Sequence, residues 1–440
     1  MSSAHTTRAE ARSGGPFIPP IGVLVNASQV LTFSGSRELP SSCSRDLEGL
    51  HRWSAEQGLR QLWLTPESRH ALGLPEALER RRPESSPFLH SGALRTPRTQ
   101  EFLTPWLSVW SREHYLEVAV PEWDRRSPWR SLLDFPPALL GELGDFTDAT
   151  GGWLWRRSGA ITSDSWLREH WGRSGLLRAT EYPECAADPN VEPDAFEVRS
   201  PAEGELRARW CHAFDANALY LAAASSLALP VGECESAGAP PSRGPQGVPI
   251  PRSTPGYWLT GGEWLTTPSA AYAEWTVASA GHYWQESHQF LTPWYKALRE
   301  ARKRLLSFGP SAALEAVKQV YREGIGRLGS TRRTSSEDFL LQPYWRHAVM
   351  GSARTRLLRR VGSLRQAPVV VCDVDTLYFL TSSSSPVTFA QRIGLPLGTD
   401  LGAFKHKGTL PGSVARQILA ECESGRVPES LFRAMREAQT

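Results

Sequence analysis

Residues 371–379 read VCDVDTLYF, and two carboxylates interrupt what is otherwise a buried β-type run. Ala367-Pro-Val-Val-Val371 leads into Asp373 and Asp375, and Leu377-Tyr-Phe-Leu380 leads away from them. In a continuous strand, residues i and i+2 share a face. The two side chains would then lie side by side and repel unless a cation stood beside them. A divalent ion with oxygen ligands meets that need. Asp-x-Asp also suits a β-turn, which would make 367–380 a strand pair. Both readings stay open here.

Working outward, a second apolar strand ends in a carboxylate at Phe214-Asp215, inside ARWCHAFDANALYLAAASSLALP (208–230), which starts as strand and turns into a helix of small residues. GYWLTGGEWLTT (256–267) alternates like a hairpin around Gly261-Gly262. Helical spacing follows at 292–306, 311–324 and 343–361. Upstream, residues 21–65 read as strand, strand, helix, strand, with Leu47, Leu50 and Trp53 on one helix face. Residues 114–124 return to strand, and 132–143 and 163–171 look helical. Residues 69–98 and 235–256 are rich in Pro, Gly or Arg and read as loops. The acidic, Pro-containing stretch 186–205 is the best candidate boundary between domains.

Composition is that of a globular protein, with 40% apolar and 22% charged residues over 440 positions, enough for two or three domains. No apolar run is long enough for a membrane span. The six cysteines lack C-x-x-C pairs, which argues for reduced thiols, a cytoplasmic setting and no structural zinc. Residues 1–15 read as a disordered tail. The net charge of +3 hides a basic segment: residues 296–365 hold sixteen Lys/Arg and five Asp/Glu, or +11, leaving −8 for the rest. Such a segment suits a phosphate-rich partner, although a solvated helix face would look the same. Arginine dominates, and the five lysines (296, 303, 318, 405, 407) all lie in the last third. Those positions call for a compact ammonium rather than a guanidinium fork.

The ordered set of segments resembles family B DNA polymerases, most closely their protein-primed branch. FDANALYLAAASSLALPVGE (214–233) is similar to motif A, matching at Asp215, Asn217, Leu219, Tyr220, Leu229, Pro230, Gly232 and Glu233. VCDVDTLYF resembles motif C. KQVYREGIGRLGS (318–330) resembles motif B through Lys318 and Gly326, and LGTDLGAFKHKG (397–408) resembles the lysine-bearing segment after motif C. The resemblance spans about residues 207–410. It implies an α/β fold: an α+β palm with helical fingers behind an N-terminal α/β domain. The corresponding division is a tail at 1–15, an N-terminal domain at 16–200, palm at 201–290, fingers at 291–335, and palm with a minimal thumb at 336–440.

The resemblance also implies a chemistry. Asp215 and Asp375 would bridge two Mg2+ ions, with Mn2+ as a substitute, and Asp373 would assist. Lys318 would meet the triphosphate of a dNTP, helped by Arg299 or Lys303. Tyr220 would lie under the sugar, and Arg322 would border the nucleotide. Thr376, Lys405 and Lys407 would hold the DNA primer-template. A terminal or priming protein is a further implied partner. The departures are Arg322, Glu323 and Ile325 at the Asn, Ser and Tyr positions of motif B, and Ala218 and Leu221 in motif A. The family's exonuclease carries acids on its first strand, where IGVLVNAS (21–28) has Asn26 and Ser28. The N-terminal domain is therefore either an exonuclease relic or an unrelated α/β domain. Two other functions are compatible: a degenerate polymerase-like protein that binds DNA or a terminal protein, and a template-independent nucleotidyltransferase.

Overall fold

The computed structural model describes residues 18–438, apart from 45, 75–104, 112, 173, 175, 177–179, 189–190, 193–195, 238–252, 274–277, 331–339, 365–368 and 423–425. The expected tail at 1–15 and most of the expected loops at 69–98 and 235–256 lie outside the described residues. The chain is a mixed α/β protein that divides into two compact units, residues 1–162 with 300–320, and residues 163–299 with 321–440.

The first unit carries β1 (Ile21–Leu24), β2 (Gln29–Thr32), β3 (Gly35–Glu38), α1 (Leu47–Glu56), β4 (Gln61–Leu64), α2 (Pro66–Ala71), β5 (Trp106–Trp110), β6 (Tyr115–Ala119) and α3 (Pro136–Ala149). Its sheet runs β3-β2-β1-β4-β6-β5. β1 pairs parallel with β4, and β4 parallel with β6. IGVL and QLWL are buried throughout, as central parallel strands are when both sheet faces are covered. Asp46 caps α1 by accepting from the Gly49 amide at 2.7 Å, and the predicted Leu47, Leu50 and Trp53 stripe is buried. Edge-to-face contacts join Trp63, Trp106, Trp129, Phe146 and Trp155. One buried carboxylate, Glu117, is neutralised by Arg156 at 2.7 Å and accepts from Gln61 at 2.9 Å.

Further along the chain, α4 (Gly159–Trp171) precedes β7 (Phe196–Val198), β8 (Trp210–Ala216), α5 (Leu219–Ala223), β9 (Leu229–Pro230), β10 (Glu235–Ala237), β11 (Gly256–Thr260), β12 (Glu263–Thr266), α6 (Thr267–Ala270), β13 (Ala280–Tyr283) and β14 (Ser287–His288). Then come α7 (Leu291–Leu306), α8 (Ala312–Leu328), α9 (Pro343–Gly362), β15 (Val371–Asp373), β16 (Thr376–Thr381), α10 (Pro386–Ile393), β17 (Phe404–Pro411), α11 (Gly412–Glu421) and α12 (Val427–Glu437). The predicted hairpin is β11–β12, and both Gly261 and Gly262 adopt the positive φ that a two-residue primed turn requires.

The sheet that matters for function is antiparallel, in the order β17-β8-β16-β15-β7. Alternation along β8 sends Cys211, Ala213 and Asp215 to one face, and His212, Phe214 and Ala216 to the other. The first face joins Tyr378, Leu380 and Leu410 to Val427, Leu431 and Met435 of α12. The second packs Phe214 against Phe379 and Phe389. Both faces are thus buried, and each large side chain contributes about 1.5–3 kcal/mol. That rigid strand is what carries Asp215.

A separate buried clamp fixes α9. Glu192 accepts from the Thr266 amide and hydroxyl, both at 2.5 Å, and from Ser269 at 2.7 Å. A Cβ on Gly351 would stand 2.6 Å from Glu192 Oε1 and from Thr266 Oγ1. We therefore expect Gly351→Ala to lower stability by about 1–3 kcal/mol in urea unfolding, the range for overpacking.

Candidate active site

The stretch 371–379 is a hairpin. β15 ends at Asp373, Val374 and Asp375 form the turn, and β16 starts at Thr376. The two acids therefore do not share a strand face, and the turn alternative is the one found. Val374 has φ +54° while Asp375 does not have positive φ. Positive φ at the first turn position alone is the type II′ pattern, normally filled by glycine. A β-branched residue there is strained by about 1–3 kcal/mol. Glycine costs roughly 0.5–1 kcal/mol in entropy, so Val374→Gly is expected to stabilise the fold by about 1 kcal/mol in urea unfolding.

Register builds a row of polar side chains across the sheet. Asp373 stands opposite Thr376, Thr376 opposite Asp215, and Asp215 opposite Lys405. The backbone ties the turn to β8 through the Ala216 amide, which donates to the Asp375 carbonyl at 2.8 Å. That contact brings the Asp375 carboxyl within hydrogen-bonding reach of Asp215. Thr376 Oγ1 donates between them, 3.2 Å from Asp215 Oδ1 and 3.3 Å from Asp375 Oδ1.

Two ammonium groups meet the same carboxylate. Lys405 Nζ lies 2.9 Å from Asp215 Oδ2, and Lys407 Nζ lies 3.2 Å from Oδ1. Lys407 also donates to Thr376 Oγ1 at 3.2 Å. A β-bulge between His406 and Gly408 makes this arrangement possible. It takes Lys407 out of the backbone register with β8 and lets Gly408 stand opposite the buried Ala213.

The charges sort the two acids. Burial alone would raise the Asp215 carboxyl, but Lys405 and Lys407 override it and hold it below the usual carboxylate range. Asp375 is pushed up to about 6, first by burial and then by the Asp215 charge. The neighbour that repels Asp375 is therefore Asp215, at the end of the adjacent strand β8, rather than Asp373. Two hard carboxylates and a hydroxyl form an all-oxygen donor set of the kind that Mg2+ takes together with substrate phosphates. Among the described residues no group of three or more His, Cys, Asp or Glu is arranged to hold an ion, so the fit is to a cation shared by Asp215 and Asp375. Asp373, across two strand spacings from Asp215, is about 10 Å away at the backbone.

The turn after Asp215 is locked by Asn217. Its amide donates to Ala403 at 2.7 Å, and its carbonyl accepts from Gly402 at 2.9 Å. Ala218 then adopts the left-handed region, φ 45°, and α5 begins with Tyr220 half-buried between the buried Leu219 and Leu221. Arg299 and Arg322 are exposed on α7 and α8 within the second unit. Lys303 and Lys318 belong to the first unit, where Lys318 pairs with Glu315 at 3.1 Å. Ile325, at the Tyr position of motif B, is buried in the core. In the first unit, Asn26 Oδ1 accepts from the Ser28 amide at 2.9 Å, forming a local turn after β1. None of the six cysteines forms a disulfide, and among the described residues no helix is long and apolar enough to cross a membrane.

No family model and no curated protein sequence matches the chain. Among solved structures it is similar to Phi29 DNA polymerase complexed with primer-template DNA and incoming nucleotide substrates, at 10% identity and TM-score 0.46, over 89% of this chain and 84% of that one. The Phi29 DNA polymerase binary complex with primer-template DNA matches at 11% identity and TM-score 0.42, over 87% and 81%.

Proposed function

We propose that the chain is a metal-dependent nucleotidyltransferase that extends a DNA primer on a template from dNTPs and lacks proofreading. The observation that carries this reading is the convergence of Asp215 and Asp375 from separate strands onto one oxygen-lined point beside two lysines. Asp215 and Asp375 would hold Mg2+, which supplies Lewis-acid activation of a primer hydroxyl and neutralises the leaving pyrophosphate. Thr376 keeps both carboxyls oriented through its hydroxyl. Lys405 and Lys407 sit on Asp215 and would transfer to primer-template phosphates as compact charges. Tyr220, on the first turn of the helix after Asp215, would take the sugar of the nucleotide. Asn26 and Ser28, engaged in a turn after β1, support the absence of an exonuclease metal site.

A second reading has two observations in its favour. Ile325 is in the core and Lys318 is paired with Glu315, so motif B offers little to a nucleotide. On that reading the chain binds DNA or a terminal protein without polymerising. Primer extension with Mg2+ or Mn2+, with and without template, separates the cases. Template-dependent incorporation supports polymerisation, and incorporation without template supports terminal transfer. Its absence in both, with a folded protein, supports the binding-only reading.

A further inference from the structure

Next to the strand end that bears Asp215, but on the other face of the sheet, lies a cavity of about 430 Å³. The register fixes the side: Asp215 pairs with Lys405, whereas Ala216 pairs with Phe404, and Ala216 and Phe404 line the cavity. Its floor is apolar, with Leu219, Leu357 and Phe404, and its rim carries Arg356, Arg359 and Arg360 of α9. Among the described residues no Asp or Glu lines it. Residues 356, 359 and 360 follow i, i+3, i+4 spacing, so the three guanidiniums form one stripe on the helix.

None of the three forms an ion pair with a described residue. Arg356 donates to Ser225 Oγ at 3.1 Å, and Arg359 lies 5.9 Å from the Tyr272 ring centroid. Cations near a helix C-terminus are favourable by themselves, by about 0.3–1 kcal/mol, which accounts for Arg359 and Arg360 on a solvated helix end. It does not account for three like charges gathered around a concave, acid-free and partly apolar space of a size that takes small ligands, ~300–1,000 Å³. Guanidiniums present the fork that phosphate oxygens match, and an apolar floor suits the face of a base.

We propose that this cavity is a phosphate-binding site for a single strand of nucleic acid, with the backbone on Arg356, Arg359 and Arg360 and a base against Leu219 and Phe404. The site does not require the metal centre, so it is tested in EDTA, where failure of the catalytic reading leaves the result unaffected. Fluorescein-labelled dT15 is titrated by anisotropy at several salt concentrations with the wild type, Arg359→Gln/Arg360→Gln, Arg359→Lys/Arg360→Lys, and, as a control, Arg433→Gln on α12, which packs on the other face of the sheet. The Gln pair is expected to weaken binding at least tenfold. Its log–log salt slope should be shallower by about 1.4, two contacts at roughly 0.7 each for single strands. The Lys pair should keep the slope, and Arg433→Gln should bind as wild type does. Competition by dATP or pyrophosphate distinguishes the phosphate source. If the Gln pair loses only their binding, the phosphate site stands with free nucleotide as its ligand. If a Gln pair with wild-type circular dichroism and Tm binds dT15, dATP and pyrophosphate as wild type does, the proposal is overturned.

Discussion

Asp375→Asn is expected to lower nucleotide incorporation on the order of 10³-fold while making the metal-free protein harder to unfold. The two effects share one cause. The Asp375 carboxyl is pushed up to about 6 by burial and by the charge of Asp215, against about 3.9 in an unfolded chain. A folded-state value above the unfolded one means that the fold favours the protonated form. The resulting destabilisation is complete above pH 6, fades between 6 and 4, and is absent below 4. At pH 7.5 it amounts to about 2 kcal/mol, because each pH unit between the two values is worth about 1.4 kcal/mol and the half-buried group is partly screened. Asparagine keeps the shape and removes the charge, so urea unfolding at pH 7.5 should show a gain of about 1–2 kcal/mol that vanishes at pH 4. Activity moves the other way, since a carboxylate that positions a cation is worth several kcal/mol, and 4 kcal/mol is a factor near 10³. Asp215→Asn should abolish incorporation equally without the stability gain. Lys405 and Lys407 hold the Asp215 carboxyl below its usual range, and their loss of a partner costs stability at neutral pH.

The pH dependence of divalent-ion binding follows from the same pair. Asp375 must release its proton before it can hold a cation, and metal binding is coupled to that release. The apparent Mg2+ affinity, measured by calorimetry with a dNTP and primer-template present, should be flat above pH 7 and fall about tenfold per pH unit below about pH 6. Asp215, already ionised, adds no step in that window. In Asp375→Asn the slope should disappear. A wild-type profile flat between pH 5 and 7 would separate Asp375 from the ion.

Much of this architecture was legible in the sequence, for identifiable reasons. The elements at 21–65 and the hairpin around Gly261-Gly262 follow from apolar period and turn chemistry, both local properties. Asp215 and Asp375 could be joined only through resemblance to known motifs, since nothing in their spacing states that β8 and β16 are neighbours. The lysines at 405 and 407 stood out by rarity, but their contact with Asp215 depends on β17 pairing with β8 and on a bulge. Register of that kind is set by packing, which sequence period does not encode. Of the two readings open for 371–379, the two-residue turn with its strained Val374 is the one found, and it separates Asp373 from Asp375. Likewise, the basic character of residues 296–365 was countable, whereas the selection of Arg356, Arg359 and Arg360 to rim a cavity needed the packing of α9 on α5.

A Mn2+ titration followed by the electron paramagnetic resonance of free Mn2+ reaches the central claim most directly, comparing wild type with Asp215→Asn/Asp375→Asn in the presence of primer-template and dNTP. The predicted result is extra Mn2+ uptake by wild type that the double variant, folded and at equal concentration, lacks. Equal uptake by the two proteins would contradict the assignment of these carboxylates as the site of the catalytic ion.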